Sequence, residues 1–177
     1  MRGPLTHARL RELGYSCPSI FGDPAILIPN FLSPCSDQMY DYGVVPHYTD
    51  FENVRESLKN SSRINVIDVS KSIENVVEEI TKCRSIVSSS LHGIILSHSY
   101  NIPAKWVKFG NKVFGDGVKF RDYFGSVGLE CDRPIDLSRN LSESDVIDVC
   151  AGSKSGSLPR IELGLLGEKL LNVCPFS

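Results

Sequence analysis

The sequence of 177 residues lacks a long apolar run and a surplus of basic residues. No stretch approaches the roughly 20 apolar residues that a membrane-spanning helix needs, and no basic-then-apolar leader opens the chain. The 19 Lys and Arg residues against 21 Asp and Glu argue against bulk nucleic-acid binding, because such proteins normally carry a basic surplus. We therefore expect a soluble, cytoplasmic protein with no nucleic-acid partner. A peripheral position at the inner face of the membrane is the other option.

Several motifs of known sites are also absent. The six cysteines form no CxxC pair, so we expect reduced thiols and no metal site. The chain has no GxGxxG sequence, no P-loop and no GxSxG nucleophile elbow, which argues against those nucleotide-binding and serine-hydrolase sites. Catalysis by a cysteine and a histidine stays open, because folding could bring any of the cysteines to a histidine.

Short apolar runs typical of strands alternate with segments of helical periodicity. This alternation predicts an α/β fold, with a Rossmann-like parallel sheet that helices cover on both faces. We assign residues 1–150 to one lobe, 151–159 to a linker and 160–177 to a C-terminal helix that packs on the lobe. The predicted strands are residues 25–28, 43–46, 64–69, 85–87 and 104–109; the predicted helices are residues 6–13 (capped by Thr6), 51–59, 72–83, 120–127, 160–173 and one that opens at His92.

A serine run stands between a predicted strand and a predicted helix, as Ser88-Ser89-Ser90-Leu91-His92-Gly93. A helix start presents unpaired N–H groups and a partial positive charge, which suit a phosphate or a carboxylate. A histidine in the first turn adds a side chain that exchanges protons near neutral pH. The alternative is a serine N-cap followed by a histidine that packs or faces solvent.

Ligands of open parallel sheets bind at the carboxyl ends of the strands. His47 follows one predicted strand, and the serine run follows another. The loop after the third predicted strand carries cations, and this surplus in a net negative chain suggests an anionic ligand. The alternative is a solvated charged loop, which composition alone favours somewhat. His98 lies about 240° round the helix from His92 and is expected to be structural. The cations are Lys105, Lys108, Lys112, Lys119 and Arg121, against Asp116.

Several segments taken in order give the chain a family resemblance. Residues 2–127 resemble bacterial polysaccharide pyruvyl transferases, and residues 119–126 resemble the branch that acts in exopolysaccharide synthesis. No resemblance is visible after Ser138. The segments are Arg2 to Thr6 (RGPLT), Phe21 to Ala25 (FGDPA), Val44 to Tyr48 (VVPHY), Ser88 to Gly93 (SSSLHG), Ile102 to Ala104 (IPA) and Lys119 to Phe124 (KFRDYF).

The resemblance implies transfer of the pyruvyl group of phosphoenolpyruvate to a sugar or a lipid-linked oligosaccharide, forming a pyruvate ketal. Phosphoenolpyruvate is the donor substrate, and no separate cofactor or metal is required. The chain resembles the C-terminal lobe of a two-lobed transferase of the GT-B type. The resemblance therefore implies an absent N-terminal lobe, supplied by a longer protein, a partner or a homo-oligomer.

The resemblance also suggests roles for individual residues. His92 is the first candidate for an acid, a base or a phosphate ligand, and His47 is the second. Ser90 stands where some branches of the family have an arginine, so the cation must come from elsewhere. The predicted substrate-binding residues are Ser88, Ser89, Ser90, Lys112, Lys119 and Arg121.

Two interpretations from other classes stay open. One is the lobe of a GT-B glycosyltransferase that uses a sugar nucleotide, and the other is a non-catalytic module that binds an anion.

Overall fold

The computed structural model describes residues 1–35, 37–110, 116–152 and 157–174. Within these ranges, five parallel strands form a sheet in the order β2-β1-β3-β4-β5. The predicted α/β fold with a parallel sheet is confirmed, and the likeness to a GT-B lobe stays a prediction. The strands are β1 (Tyr40–Val45), β2 (Ile64–Val66), β3 (Cys83–Ser88), β4 (Ala104–Lys108) and β5 (Ile135–Asp136).

Helices lie on both faces of the sheet, as the continuous apolar strands predict. Adjacent strand residues point to opposite faces. Val45 packs in a cluster with the helices over residues 73–81, 91–99 and 118–126, and Val44 packs in a second cluster with those over residues 51–58 and 143–151. Among the described residues, no helix is long and apolar enough to cross a bilayer. The helices are α1 (Pro4–Glu12), a 3-10 helix (Pro24–Asn30), α2 (Phe51–Leu58), α3 (Ile73–Thr81), α4 (Leu91–Ser99), α5 (Val118–Ser126), α6 (Glu143–Ala151) and α7 (Leu163–Asn172).

The strand order reverses between β1 and β3, because β2 lies on one side of β1 and the later strands lie on the other. In open α/β sheets, the crevice at such a reversal is where ligands bind, outside the carboxyl ends of the strands. The loops that follow β1 and β3 meet at this crevice. They carry His47 and the serine run, respectively.

The predicted strand at residues 25–28 is wrong, since these residues belong to the 3-10 helix. The carboxylate of Asp23 accepts the N–H of Ala25 at 3.1 Å and caps this helix. Pro24 and Pro29 lack the N–H groups that a central strand would donate, and buried apolar runs are alike in strands and helices. The predicted strand at 64–69 is shorter than expected and ends at Val66.

Helix α1 begins at Pro4 and is not capped by Thr6, which corrects the predicted start. Asp122 of α5 holds this helix start instead, because its carboxylate accepts the N–H groups of Leu5 at 2.7 Å and Thr6 at 3.1 Å. The Thr6 hydroxyl donates to the same carboxylate at 2.5 Å. A Cβ at Gly3 would lie 1.9 Å from the Asp122 carbonyl oxygen. The RGPLT and KFRDYF segments therefore form a structural clamp between two helices.

The C-terminal helix α7 packs on the 3-10 helix, and a Cβ at Gly22 would lie 2.9 Å from Leu170 Cδ1. The segment before it joins the sheet, since the Ala104 N–H donates to Ser157 O at 2.7 Å. Residues 153–156 of the predicted linker lie outside the described residues. The division into a lobe, a linker and a helix stays a prediction.

All six cysteines lie in the described ranges, and no disulfide joins them. Burial raises the pKa of the Cys83 thiol to about 12, which keeps it protonated near neutral pH.

Candidate functional site

The loops after β1 and β3 are joined by hydrogen bonds at the carboxyl edge of the sheet. The His47 N–H donates to Ser89 Oγ at 2.8 Å, and the Ser89 N–H donates to Val45 O at 3.1 Å. Ser88 Oγ lies 2.9 Å from Val45 O and 2.8 Å from Ser90 O, and it accepts the Ser90 N–H at 3.0 Å. The fully buried Ser88 hydroxyl thus fixes the turn, while the Ser89 hydroxyl proton has no acceptor among the described residues.

Gly93 lets the first turn of α4 pack directly on this edge. A Cβ at Gly93 would lie 2.6 Å from Ser88 Oγ and 2.7 Å from Val45 Cγ1, both closer than side chains tolerate. Ser90 is the N-cap residue, as the serine run predicts, but its side chain makes no capping hydrogen bond. The glycine of the motif is therefore needed for packing.

The start of α4 offers backbone donors beside an exposed imidazole. The first hydrogen bond of the helix runs from the Ile94 N–H to Ser90 O at 3.3 Å. Among the described residues, no group accepts the N–H groups of Leu91, His92 or Gly93. Because unpaired N–H groups at a helix start favour anions, this turn can hold a phosphate or a carboxylate.

His47 is half-buried in the turn between β1 and α2. Its Nδ1 lies 2.9 Å from Thr49 Oγ1 and accepts the Thr49 N–H at 3.4 Å. An Nδ1 that accepts a backbone N–H leaves the proton of the neutral ring on Nε2. His47 can therefore donate a hydrogen bond through Nε2.

A cavity of about 490 Å³ opens at the same edge, between β4 and the start of α5. Trp106 and Phe120 form an apolar wall, with their rings stacked at 4.4 Å between centroids. The Lys119 ammonium lies 5.6 Å from the centre of the Phe120 ring. The other described lining residues include Ser89 and Gly110.

The cavity has a surplus of positive charge. Among its described lining residues, the cations are Lys108, Lys119, Arg121 and Arg133, and the acids are Asp116 and Asp132. Arg121 donates to Asp116 O at 2.7 Å, and Lys108 lies 3.4 Å from Asp136 Oδ2. Lys119 and Arg133 form no ion pair with any described residue, so the cavity fits an anion.

The structure brings some of the predicted site residues together. Ser89, Lys119 and Arg121 line the cavity, and the hydrogen bond from His47 to Ser89 links its rim to the end of β1. The described cavity lining does not include His47, His92, Ser88 or Ser90. Lys112 lies outside the described residues. The roles assigned to these side chains stay predictions.

His98 is structural, as expected. It is buried in α4, and its Nδ1 lies 3.0 Å from the Tyr123 hydroxyl oxygen. Burial lowers the pKa of His98 to about 4, so the ring is neutral at physiological pH.

Arg133 and Asp50 were missed by the sequence reasoning. Arg133 precedes β5, where no motif marks it, and only the fold carries it to the cavity. Asp50 follows a predicted strand by a few residues, so its place near the carboxyl edge was a signal that could have been used. Within the described ranges, no three His, Cys, Asp or Glu side chains are grouped as metal ligands.

The sequence comparisons show the family of the chain. The sequence model of the family described as polysaccharide pyruvyl transferase matches residues 1–107, and this chain belongs to that family. An uncharacterized protein of Acanthamoeba polyphaga mimivirus is 35% identical over 140 residues, covering 75% of this chain and 49% of that protein. The succinoglycan biosynthesis protein ExoV of Rhizobium meliloti (strain 1021) is 26% identical over 136 residues, covering 73% of this chain and 40% of that protein.

The chain thus spans half or less of the length of these two curated relatives. No solved structure matches the chain.

Proposed function

We propose that this chain binds phosphoenolpyruvate as the donor part of an enzyme that transfers the pyruvyl group to a sugar of a polysaccharide or its precursor. The observation that carries the proposal is the cationic cavity beside Ser89, at the carboxyl edge of a chain of the pyruvyl transferase family. Phosphoenolpyruvate has a carboxylate and a phosphate, so its site needs cations and oriented N–H donors. The relative from succinoglycan biosynthesis supports a polysaccharide context.

The donor anion contacts both parts of the edge in this proposal. Lys119, Arg121 and Arg133 hold one charged group in the cavity, and the Ser89 hydroxyl donates its unused proton. The N–H groups at the start of α4 hold the other charged group beside His92. Ser88 and Ser90 shape the turn that presents these donors. Lys112 keeps its predicted role as a further cation.

The two histidines supply the proton transfers. His92, exposed at the helix start, protonates the methylene carbon of phosphoenolpyruvate, which makes the neighbouring carbon electrophilic. Two sugar hydroxyls then add to that carbon in turn, and phosphate leaves. His47 is the second candidate, and its Nε2–H suits a hydrogen bond to the leaving phosphate.

We further propose that turnover requires a second lobe that holds much of the acceptor. The support is the length of the curated relatives, of which this chain spans half or less. Positioning of two reactants contributes about 7–11 kcal/mol to lowering a barrier, so a site that does not fully position the acceptor transfers poorly.

A competition experiment tests the donor assignment. Calorimetry measures the binding of phosphoenolpyruvate, UDP-glucose and GDP-mannose to the chain, each alone and against the others. Binding of phosphoenolpyruvate that the sugar nucleotides do not displace supports the pyruvyl transferase. Preferential binding of a sugar nucleotide would favour a glycosyltransferase lobe instead.

A transfer assay tests the need for a second lobe. Release of phosphate is followed with free and lipid-linked sugars, for this chain alone and for a form extended by an N-terminal lobe of a relative. We expect transfer only in the extended form. Rapid transfer by the chain alone would contradict the proposal, and binding without transfer in both forms would favour a non-catalytic anion-binding module.

A further inference from the structure

A buried carboxylate beside the candidate site receives no hydrogen bond from any described residue. Asp50, in the turn between β1 and α2, is 4% exposed. No described residue donates to either oxygen, and Oδ2 is fully shielded from solvent. Burying a carboxylate without a donor is unfavourable, so a folded protein rarely keeps one without a functional reason.

Within the described part of the chain, no helix or turn uses this carboxylate as a hydrogen-bond acceptor. Asp50 directly precedes α2, but its carboxylate does not cap that helix. Asp23 precedes the 3-10 helix and accepts the Ala25 N–H, and Asp122 accepts three hydrogen bonds from α1. Asp50 is therefore the exception among these three buried carboxylates.

Gly110 connects Asp50 with the cavity. A Cβ at position 110 would lie 2.6 Å from Asp50 Oδ1, and Gly110 is itself part of the cavity lining. The backbone at Gly110 does not have a positive φ, so any residue could adopt its conformation. A side chain at position 110 would therefore press on Oδ1 from the cavity lining.

The charge of Asp50 defines the ligand group that it fits. The cavity cations attract the anionic donor, whereas a carboxylate repels it. A neutral hydroxyl supplies a hydrogen-bond donor of the kind that no described residue gives to Asp50. We propose that Asp50 binds a hydroxyl of the acceptor sugar and accepts its proton during transfer; this role rests on the proposed function.

The proton and electron balance of the step is simple. The hydroxyl oxygen forms a bond to the central carbon of the enolpyruvyl group, its O–H bond breaks, and the proton passes to an Asp50 oxygen. The π electrons of the carbon–carbon double bond form the new C–H bond of the methyl group, with the proton that His92 supplies. The second hydroxyl then adds to the same carbon as the C–O bond to phosphate breaks, and that electron pair leaves with the phosphate. The proton of the second hydroxyl returns to His92 and the proton on Asp50 passes to the leaving phosphate, so both side chains are restored and no oxidant or reductant is needed.

Three measurements on Asp50→Asn test this role. The thermal unfolding midpoint is measured beside that of Asp122→Asn. Binding of phosphoenolpyruvate is measured by calorimetry, and binding of the methyl glycosides of glucose, galactose and mannose by NMR. Gly110→Ala serves as a second variant that covers Oδ1 and keeps the carboxylate, with Gly164→Ala as its control, since a Cβ there meets no atom within 4 Å.

We expect Asp50→Asn to unfold at or above the native temperature, because no described residue donates to the native carboxylate, and Asp122→Asn to unfold at a lower one. Asp50→Asn and Gly110→Ala should weaken glycoside binding at least tenfold, and Asp50→Asn should bind phosphoenolpyruvate as well as the native chain or better. In the extended form that transfers, Asp50→Asn should lower kcat at least about 100-fold.

Other results overturn the role. One is an unfolding midpoint of Asp50→Asn as low as that of Asp122→Asn. The second is glycoside binding that is absent in the native chain or unchanged in Asp50→Asn. The third is a tenfold loss of phosphoenolpyruvate affinity in Asp50→Asn. If the proposed function is wrong and the role of Asp50 is right, the native chain will not bind phosphoenolpyruvate, but glycoside binding that depends on Asp50 will persist.

Discussion

The His47 N–H donates a hydrogen bond to Ser89 Oγ at 2.8 Å, and this contact joins the loops that follow β1 and β3. Ser89 also lines the cationic cavity. The same hydroxyl can therefore hold the turn through its oxygen and offer its proton to a ligand, since a hydroxyl both accepts and donates. The contact couples the position of His47 to the wall of the cavity.

Replacement of Ser89 by alanine should affect both stability and binding. The lost hydrogen bond should lower the free energy of unfolding by about 1 kcal/mol, and the lost donor should weaken phosphoenolpyruvate binding several-fold. Urea unfolding and calorimetry measure the two effects. Ser57→Ala is the matched control, because that exposed hydroxyl donates only to Asn53 O of its own helix. Equal binding by Ser89→Ala and Ser57→Ala would remove Ser89 from the site.

Gly93→Ala should destabilise the fold by about 1–3 kcal/mol, the usual cost of overpacking. The added Cβ would lie 2.6 Å from Ser88 Oγ, so α4 or the serine turn would have to move. Urea unfolding measures the change beside Gly164→Ala, which adds the same methyl group where no atom lies within 4 Å. Equal stability of both variants would contradict the inference that α4 packs closely on β1 at Gly93.

Asp122→Ala should release the start of α1 from α5. The carboxylate accepts the N–H groups of Leu5 and Thr6 and the Thr6 hydroxyl, and leaving such groups unpaired costs about 1–3 kcal/mol each. Hydrogen exchange should rise in residues 4–12, and Thr6→Val should give a smaller effect because it removes one bond of the three. Unchanged hydrogen exchange in both variants would contradict the conclusion that Asp122 holds the start of α1 on α5.

The buried His98 should make the fold sensitive to acid. Its pKa is about 4 in the folded protein and about 6.5 when unfolded, so the unfolded chain binds more protons between these pH values. Stability is full above about pH 6.5 and falls as the pH drops to about 4, by on the order of 3 kcal/mol. Urea unfolding across this range measures the loss. His98→Phe should lose less stability over the same range than the native chain, and parallel pH profiles would contradict this origin.

The sequence predicted the parts of the fold whose local pattern agrees with the tertiary structure. Helix α3 is an example: its apolar stripe and the Ser72 cap, which accepts the Asn75 N–H, point to the same helix. Residues 25–28 were wrongly predicted as a strand, because a short apolar run between prolines packs equally well as a turn of 3-10 helix. The serine run indicated the correct edge of the sheet, since strand ends and helix starts are encoded locally.

The rest of the site depends on contacts between distant segments. Arg133 reaches the cavity through the pairing of β5 with β4, and Asp50 meets Gly110 across 60 positions of sequence. Gly93 was identified as part of a motif, but its role in packing requires the position of Val45 on the neighbouring strand. No local pattern contains these relationships.

The most direct test of the account is a calorimetric titration of phosphoenolpyruvate into the native chain, His92→Ala and the control His7→Ala. Loss of a hydrogen bond to a charged group costs about 1.5–3 kcal/mol, so His92→Ala should bind roughly tenfold or more weakly without losing its fold. His7→Ala should bind as the native chain does, because His7 contacts Ser19 and Phe21. These residues are distant in sequence from the serine run. A folded His92→Ala protein with the native isotherm would contradict the assignment of the donor site to this helix start.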